Sequence, residues 1–169
     1  MKNIFLVGYR GTGKTSIGKK LAGIIKASFV DTDELIVKKA GKPIPQIFAE
    51  DGEPKFRELE SQVLLDVCEQ DGQVVGCGGG MVTRDINIEN MKKNGTVFLL
   101  KSDAKTIFNR IYRDNNRPAL TDKDPFEEIV HMLEKRKDMY EKAKNFEIDT
   151  SKDSVYDCAI RIQKILNGN

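Results

Sequence analysis

The residues best suited to chemistry stand near the front of the chain, in Gly8-Tyr9-Arg10-Gly11-Thr12-Gly13-Lys14-Thr15. This stretch fits G-x-x-x-x-G-K-[ST] in full. Glycines at these positions let backbone N–H groups fold around phosphate oxygens without Cβ interference, and a following helix adds the positive end of its dipole. A lysine here reaches the β- and γ-phosphates of a nucleoside triphosphate, while the Thr hydroxyl suits magnesium. Gly11, Thr12, Gly13, Lys14, Thr15 and Ser16 are therefore the candidate nucleotide-binding residues, Lys14 a candidate catalytic residue and Thr15 a candidate metal ligand. The competing reading, an ordinary glycine-rich turn, explains neither the Lys-Thr pair nor the strand–loop–helix context.

Further polar groups follow later apolar runs. At a strand-to-helix turn the carboxylates of Asp31-Thr32-Asp33 can converge, with Asp31 placed to hold magnesium through water and Asp33 to take a proton from an attacking hydroxyl. Alternatively, one of them only caps the helix at Glu34–Lys39. In Gly52-Glu53-Pro54-Lys55-Phe56-Arg57-Glu58-Leu59-Glu60, Glu60 lies one helical turn beyond Arg57 and can hold its guanidinium, or the two make a plain surface ion pair. Gly78-Gly79-Gly80 offers bare N–H donors and close backbone approach, or a flexible turn. The polar stretch Arg113–Asp124, containing Pro118, is long for a connection in so small a protein and reads as a lid over residues 112–125, with Arg117 poised to close on phosphates. Arg136 sits in a helical pattern beside Lys135 and Lys137, where spacing alone favours a solvated role.

These groups need a scaffold that gathers them. Strand candidates are Ile4–Val7, Phe29–Val30, Val74–Cys77, Val97–Leu100 and Phe146–Ile148. Helical patterns lie at Thr15–Ile25, Pro54–Glu69, Ala104–Tyr112, Phe126–Ala143 and Val155–Leu166. Alternating strands and helices imply an α/β fold with a parallel sheet covered on both faces. Right-handed crossovers then put all strand ends of one polarity on one edge, where ligands bind. The phosphate-loop candidate, the aspartate pair and the triple glycine each follow a strand directly.

With 169 residues the chain makes one domain, residues 1–169. Its 28 Lys+Arg against 26 Asp+Glu provide no general attraction to nucleic acid or membrane. No signal peptide or apolar run of bilayer-spanning length is visible, and Cys68, Cys77 and Cys158 include no C-x-x-C pair, which suits reduced thiols in a cytoplasmic protein taken as a monomer. His131, the only histidine, reads as structural or surface. The segments that mark signalling GTPases (D-x-x-G, N/T-K-x-D) are absent, as is the apolar strand ending in Asp-Glu of transporter and remodelling ATPases. A small-molecule kinase is the class left.

In combination these motifs resemble the bacterial-type shikimate kinases over essentially the whole chain. The resemblance rests on Gly8–Thr15, Asp31-Thr32-Asp33, Phe56-Arg57-Glu58 with Glu60, Gly78-Gly79-Gly80, Arg117-Pro118, and Arg136 four residues before Tyr140. It implies the three-layer P-loop kinase fold, a five-stranded parallel sheet flanked by helices, with an acceptor-binding segment at 33–60 and a mobile lid. It further implies that Arg57 and Arg136 clamp the shikimate carboxylate, and that Asp33 and the Gly78–Gly80 stretch hold its ring hydroxyls, with Asp33 as base. Arg110 would lie against adenine, and Arg117 would close on the phosphates. The implied partners are ATP and shikimate with one magnesium ion, giving 3-phosphoshikimate and ADP on the way to chorismate and the aromatic amino acids. Ala119 stands where the family more often has leucine, and Lys152-Asp153-Ser154 occupies the loop expected near adenine. The rival readings are a related kinase such as a gluconate kinase, and a catalytically silent nucleotide-binding protein.

Overall fold

Five short stretches rich in β-branched and aromatic residues pair in parallel in this computed structural model, which describes residues 1–113 and 124–168. The strands are β1 (Asn3–Val7), β2 (Ser28–Asp31), β3 (Gln73–Gly76), β4 (Gly95–Lys101) and β5 (Phe146–Asp149), laid side by side in the order β2-β3-β1-β4-β5. The helices are α1 (Lys14–Ile25), α2 (Thr32–Ala40), α3 (Ile44–Cys68), α4 (Asp85–Asn94), α5 (Ala104–Arg113), α6 (Pro125–Ala143) and α7 (Val155–Leu166).

Period-two alternation along the strands divides the core. Phe5, Val7, Val75, Val97 and Leu99 face one side and pack with Leu64 and Val67 of α3, Ile88 and Met91 of α4, and Tyr140 of α6. Ile4, Leu6, Val74, Phe98 and Leu100 face the other, against Ile17 and Leu21 of α1 and Cys158 and Ile162 of α7. The result is the helix–sheet–helix layering expected from the sequence.

Two helical features escape pattern reading. In α4 only Asn87, Ile88 and Met91 are buried, so the apolar signal is sparse. The run Ile44–Cys68 is two helices meeting at Gly52, whose φ of 81° and ψ of 169° break the ladder before Pro54. That break aims the second helix, with Arg57 and Glu60, back toward the carboxyl edge of the sheet. Central β1, bonded to β3 on one side and β4 on the other, delivers the phosphate-loop candidate to the middle of this edge.

Candidate active site

α1 begins at Lys14 straight after the loop, with Gly13 at its N-cap in the left-handed region, φ 94°. Among the described residues no side chain caps this end, and its first turn has no acidic residue, so its dipole favours an anion there. By contrast α2, α6 and α7 are capped by Asp31, Asp124 and Ser154. Lys14 Nζ donates to the carbonyls of Gly8 (2.8 Å) and Tyr9 (2.9 Å), and Thr12 Oγ1 donates to Tyr9 O at 2.7 Å, so the lysine and the loop are held in one curl.

The aspartate pair divides its work in a way that joins both readings. Asp31 Oδ1 accepts from Asp33 N at 3.0 Å, capping α2, while Asp31 Oδ2 lies 3.2 Å from the Thr15 hydroxyl across the mouth of the loop. Thr32 turns inward, fully buried, and its Oγ1 accepts from Gly78 N at 2.9 Å. This contact ties the end of β2 to the triple glycine and pulls Asp33 against it. A Cβ built on Gly78 would lie 2.5 Å from Asp33 Oδ1 and 3.2 Å from Glu60 Oε1.

The remaining members converge on the same three residues. Arg57 Nη1 donates to the buried Glu60 at 2.6 Å, and Nη2 reaches Glu53 at 3.0 Å. A Cβ on Gly80 would fall 1.9 Å from Arg57 Nη1, so only glycine lets this guanidinium lie against the backbone. Arg136 Nη1 and Tyr140 Oη both donate to Gly79 O at 3.0 Å. Burial works against the charge on Arg57, but hydrogen bonds to Glu60 and Glu53 outweigh it and raise its pKa. Burial pushes the Glu60 carboxyl up, with Arg57 and Arg136 pulling the other way. These shifts oppose each other on the state of the pair; the 2.6 Å contact and the two facing cations favour the ionised form.

One cavity of about 440 Å³ is lined by Arg10, Lys14, Thr15, Asp31, Asp33, Gly78–Gly79 and Arg110 together. A second, of about 290 Å³, opens beside it between Gly11–Gly13, Ser16, Arg110, Thr150 and Asp153. Arg110 is fixed between them by bonds to Thr150 O (2.5 Å), Thr150 Oγ1 (3.1 Å) and Gly11 O (3.3 Å). The arrangement is a phosphate cradle sharing the Gly78–Gly79 wall with a site of two arginines and a carboxylate. Such a site fits transfer of a phosphoryl group to the hydroxyl of a small carboxylic acid.

The shikimate kinase family model matches residues 10–167. This chain belongs to the shikimate kinase family. A shikimate kinase of Thermodesulfovibrio yellowstonii is 44% identical over 150 residues, covering 89% of this chain and 86% of that protein. One from Bacillus anthracis is 41% identical over 167 residues and 99% of each chain. Among solved structures, shikimate kinase from Acinetobacter baumannii in complex with shikimate superposes with a TM-score of 0.93 at 34% identity, covering all of this chain and 94% of that one. The five-stranded P-loop kinase fold is therefore the family's fold.

Within that family frame, the sequence-derived site residues that the structure describes line one of the two cavities, except Arg57, Gly80 and Arg136, which stand behind the Gly78–Gly79 wall, Arg57 against Gly80 and Arg136 on Gly79 O. Ser16 and Thr12 face the second cavity, and the Thr12 hydroxyl braces the loop. Arg117 and most of the lid segment 112–125 lie outside the described residues. Sequence reading missed Thr32, Tyr140 as a brace for Gly79, and Thr150, which bonds Arg110 and also donates to Thr12 O at 3.0 Å. Only its place after β5, at the chemical edge of the sheet, could have singled out Thr150.

Proposed function

We propose that this chain transfers the γ-phosphate of ATP to the 3-hydroxyl of shikimate, giving 3-phosphoshikimate and ADP for aromatic amino acid biosynthesis. The observation that carries the reading is the meeting of Asp33, Arg57 with Glu60, and Arg136 on Gly78–Gly80 beside the phosphate loop. Gly11, Thr12, Gly13 and Ser16 cradle the nucleotide, and Lys14 leaves its loop carbonyls for the β- and γ-phosphates. Arg57 and Arg136 clamp the acceptor carboxylate, each charge-assisted contact contributing about 1.5–3 kcal/mol. Asp33 and the backbone of Gly78, Gly79 and Gly80 hold the ring hydroxyls, and Asp33 receives the proton as the hydroxyl oxygen attacks. Arg110, anchored to Thr150 between the two cavities, lines the adenine side. In this reading residues 33–60 are the acceptor segment and 112–125 the lid whose Arg117 neutralises phosphate charge.

Magnesium fits the oxygen pair of Thr15 Oγ1 and Asp31 Oδ2, hard donors 3.2 Å apart at the cavity wall. Among the described residues no group of three or more His, Cys, Asp or Glu could hold a metal ion, and an ion carried on phosphates and water needs only one or two protein oxygens. Held by Thr15 and Asp31, such an ion would supply positive charge that offsets the charge of the phosphates. A cytoplasmic monomer completes the reading. The free thiols of Cys68, Cys77 and Cys158 suit that compartment, and no described helix is long and apolar enough to cross a membrane.

Coupled ADP release with shikimate, gluconate and nucleoside monophosphates tests the assignment. Magnesium-dependent turnover is expected with shikimate alone. Turnover with gluconate and none with shikimate would assign a related kinase, and tight ATP binding without any acceptor would favour a silent nucleotide-binding protein.

A further inference from the structure

Arg10, a freely variable position of the phosphate-loop motif, lines the main cavity with its side chain 19% exposed. Its Nη2 donates at 3.2 Å to Oε1 of Glu128, which lies 118 residues later on α6 and is almost fully buried. A buried ion pair is weak evidence of added stability. Burying an ion pair typically costs as much in desolvation as it returns, and an apolar pair of the same volume is often equal or better. Nor does the start of α6 need Glu128, since Asp124 caps it, accepting from Phe126 N and Glu127 N, and Glu127 already complements the dipole.

The same helix carries Arg136 and Tyr140 to the carbonyl of Gly79. A Cβ on Gly79 would lie 3.6 Å from Gly8 O and 3.9 Å from Arg10 N, so the triple glycine rests directly on the phosphate loop. α6 therefore grips this seam between donor and acceptor at two points, about two helical turns apart. One grip is Glu128 on Arg10; the other is Arg136 with Tyr140 on Gly79.

We propose that Glu128 is a positioning residue for phosphoryl transfer: by holding the Arg10 guanidinium on the cavity wall, it locks the helix bearing Arg136 in register with the phosphate loop. The inference rests on the kinase reading above and concerns alignment of the two substrates, not their identity. Arg10 contributes positive charge at the wall that the triphosphate would face, and Glu128 sets where that charge stands.

The test is steady-state and single-turnover kinetics on the full chain, well below the unfolding temperature, with melting temperature measured for each variant. Glu128→Ala and Arg10→Met should each lower kcat about tenfold, because misalignment of donor and acceptor acts on the transition state, while any displacement of Arg136 raises shikimate KM in addition. The double variant should be no slower than the slower single one, since the Arg10–Glu128 contact is already lost in each. Glu128→Gln, whose amide oxygen still accepts from Arg10, should recover most of the loss. Lowered melting temperatures with kcat within twofold of wild type would reduce the pair to a structural contact and overturn the proposal, as would losses that multiply in the double variant. Should Glu128→Ala not fold, Arg10→Met decides by the same criterion. Wild-type turnover with shikimate separates failure of this inference from failure of the assignment itself.

Discussion

Gly80→Ala places a single methyl group against the acceptor clamp. The backbone of Gly80, φ −91° and ψ −3°, is open to alanine, so the effect is steric. The new Cβ would stand 1.9 Å from Arg57 Nη1, 2.7 Å from Cζ and 2.9 Å from Nη2. To reach ordinary contact the guanidinium must retreat by about 1.5 Å, which breaks its 2.6 Å bond to Glu60. Arg57 is the far end of a flexible side chain, so the protein still folds. The displaced guanidinium loses a charge-assisted contact to the acceptor carboxylate worth about 1.5–3 kcal/mol, which is roughly a 10- to 150-fold rise in shikimate KM. The clamp acts alike on ground and transition states, so kcat at saturating shikimate should stay within about threefold. Titrating shikimate in the coupled ADP-release assay, beside Arg57→Ala and the double variant, reads this out. The two single variants should match, and adding Gly80→Ala to Arg57→Ala should cost nothing further. If shikimate KM were unchanged in Gly80→Ala but raised in Arg57→Ala, the crowding argument fails; if unchanged in both, the clamp itself is wrong.

Gly78→Ala should act on turnover, because its Cβ would press to 2.5 Å from Asp33 Oδ1; a shift of about 1 Å in the base costs roughly 100-fold in kcat, and a turnover near wild type would remove Asp33 from the proton-accepting role. Asp31→Asn separates capping from metal binding: the amide oxygen can still accept from Asp33 N, so the melting temperature should move by less than about 2 °C, while the magnesium needed for half-maximal rate rises about tenfold. Equal magnesium curves would leave Asp31 a cap alone. Hydrogen bonds from Lys101 and then Lys144 hold the Glu147 carboxyl down at about 2 from an ordinary 4.5. A depressed folded-state value means that its contribution is present above about 4.5 and lost as pH falls through about 2. Because the side chain is more than a third exposed, the contribution is only a few tenths of a kcal/mol, roughly. Denaturant unfolding at pH 6 and pH 2 should show wild type losing that much more than Glu147→Gln, and identical losses would contradict it.

The local features were legible because their physics is local. Period-two runs such as Ile4–Val7 and the glycine spacing of Gly8–Thr15 encode strand and phosphate loop within a few residues. Helix α4 was not, since two buried apolar residues on a polar decamer leave no periodic stripe, and its burial comes from the sheet it covers. Spacing alone left Arg57–Glu60 and Arg136 as ordinary surface charges, and nothing local contradicts that.

By itself, then, the amino-acid order determined the alternation of strands and helices, the cradle for phosphate and, through several motifs in series, the family. Which groups meet was decided only in three dimensions. Thr32 reaches Gly78 across 46 residues, Arg136 reaches Gly79 across 57, and Arg10 reaches Glu128 across 118. Such contacts depend on strand order and crossover geometry, and a carboxylate becomes buried or exposed only when distant elements close over it. The strand order β2-β3-β1-β4-β5 sets β3 between β2 and β1, and that neighbourhood turns three separate loops into one site.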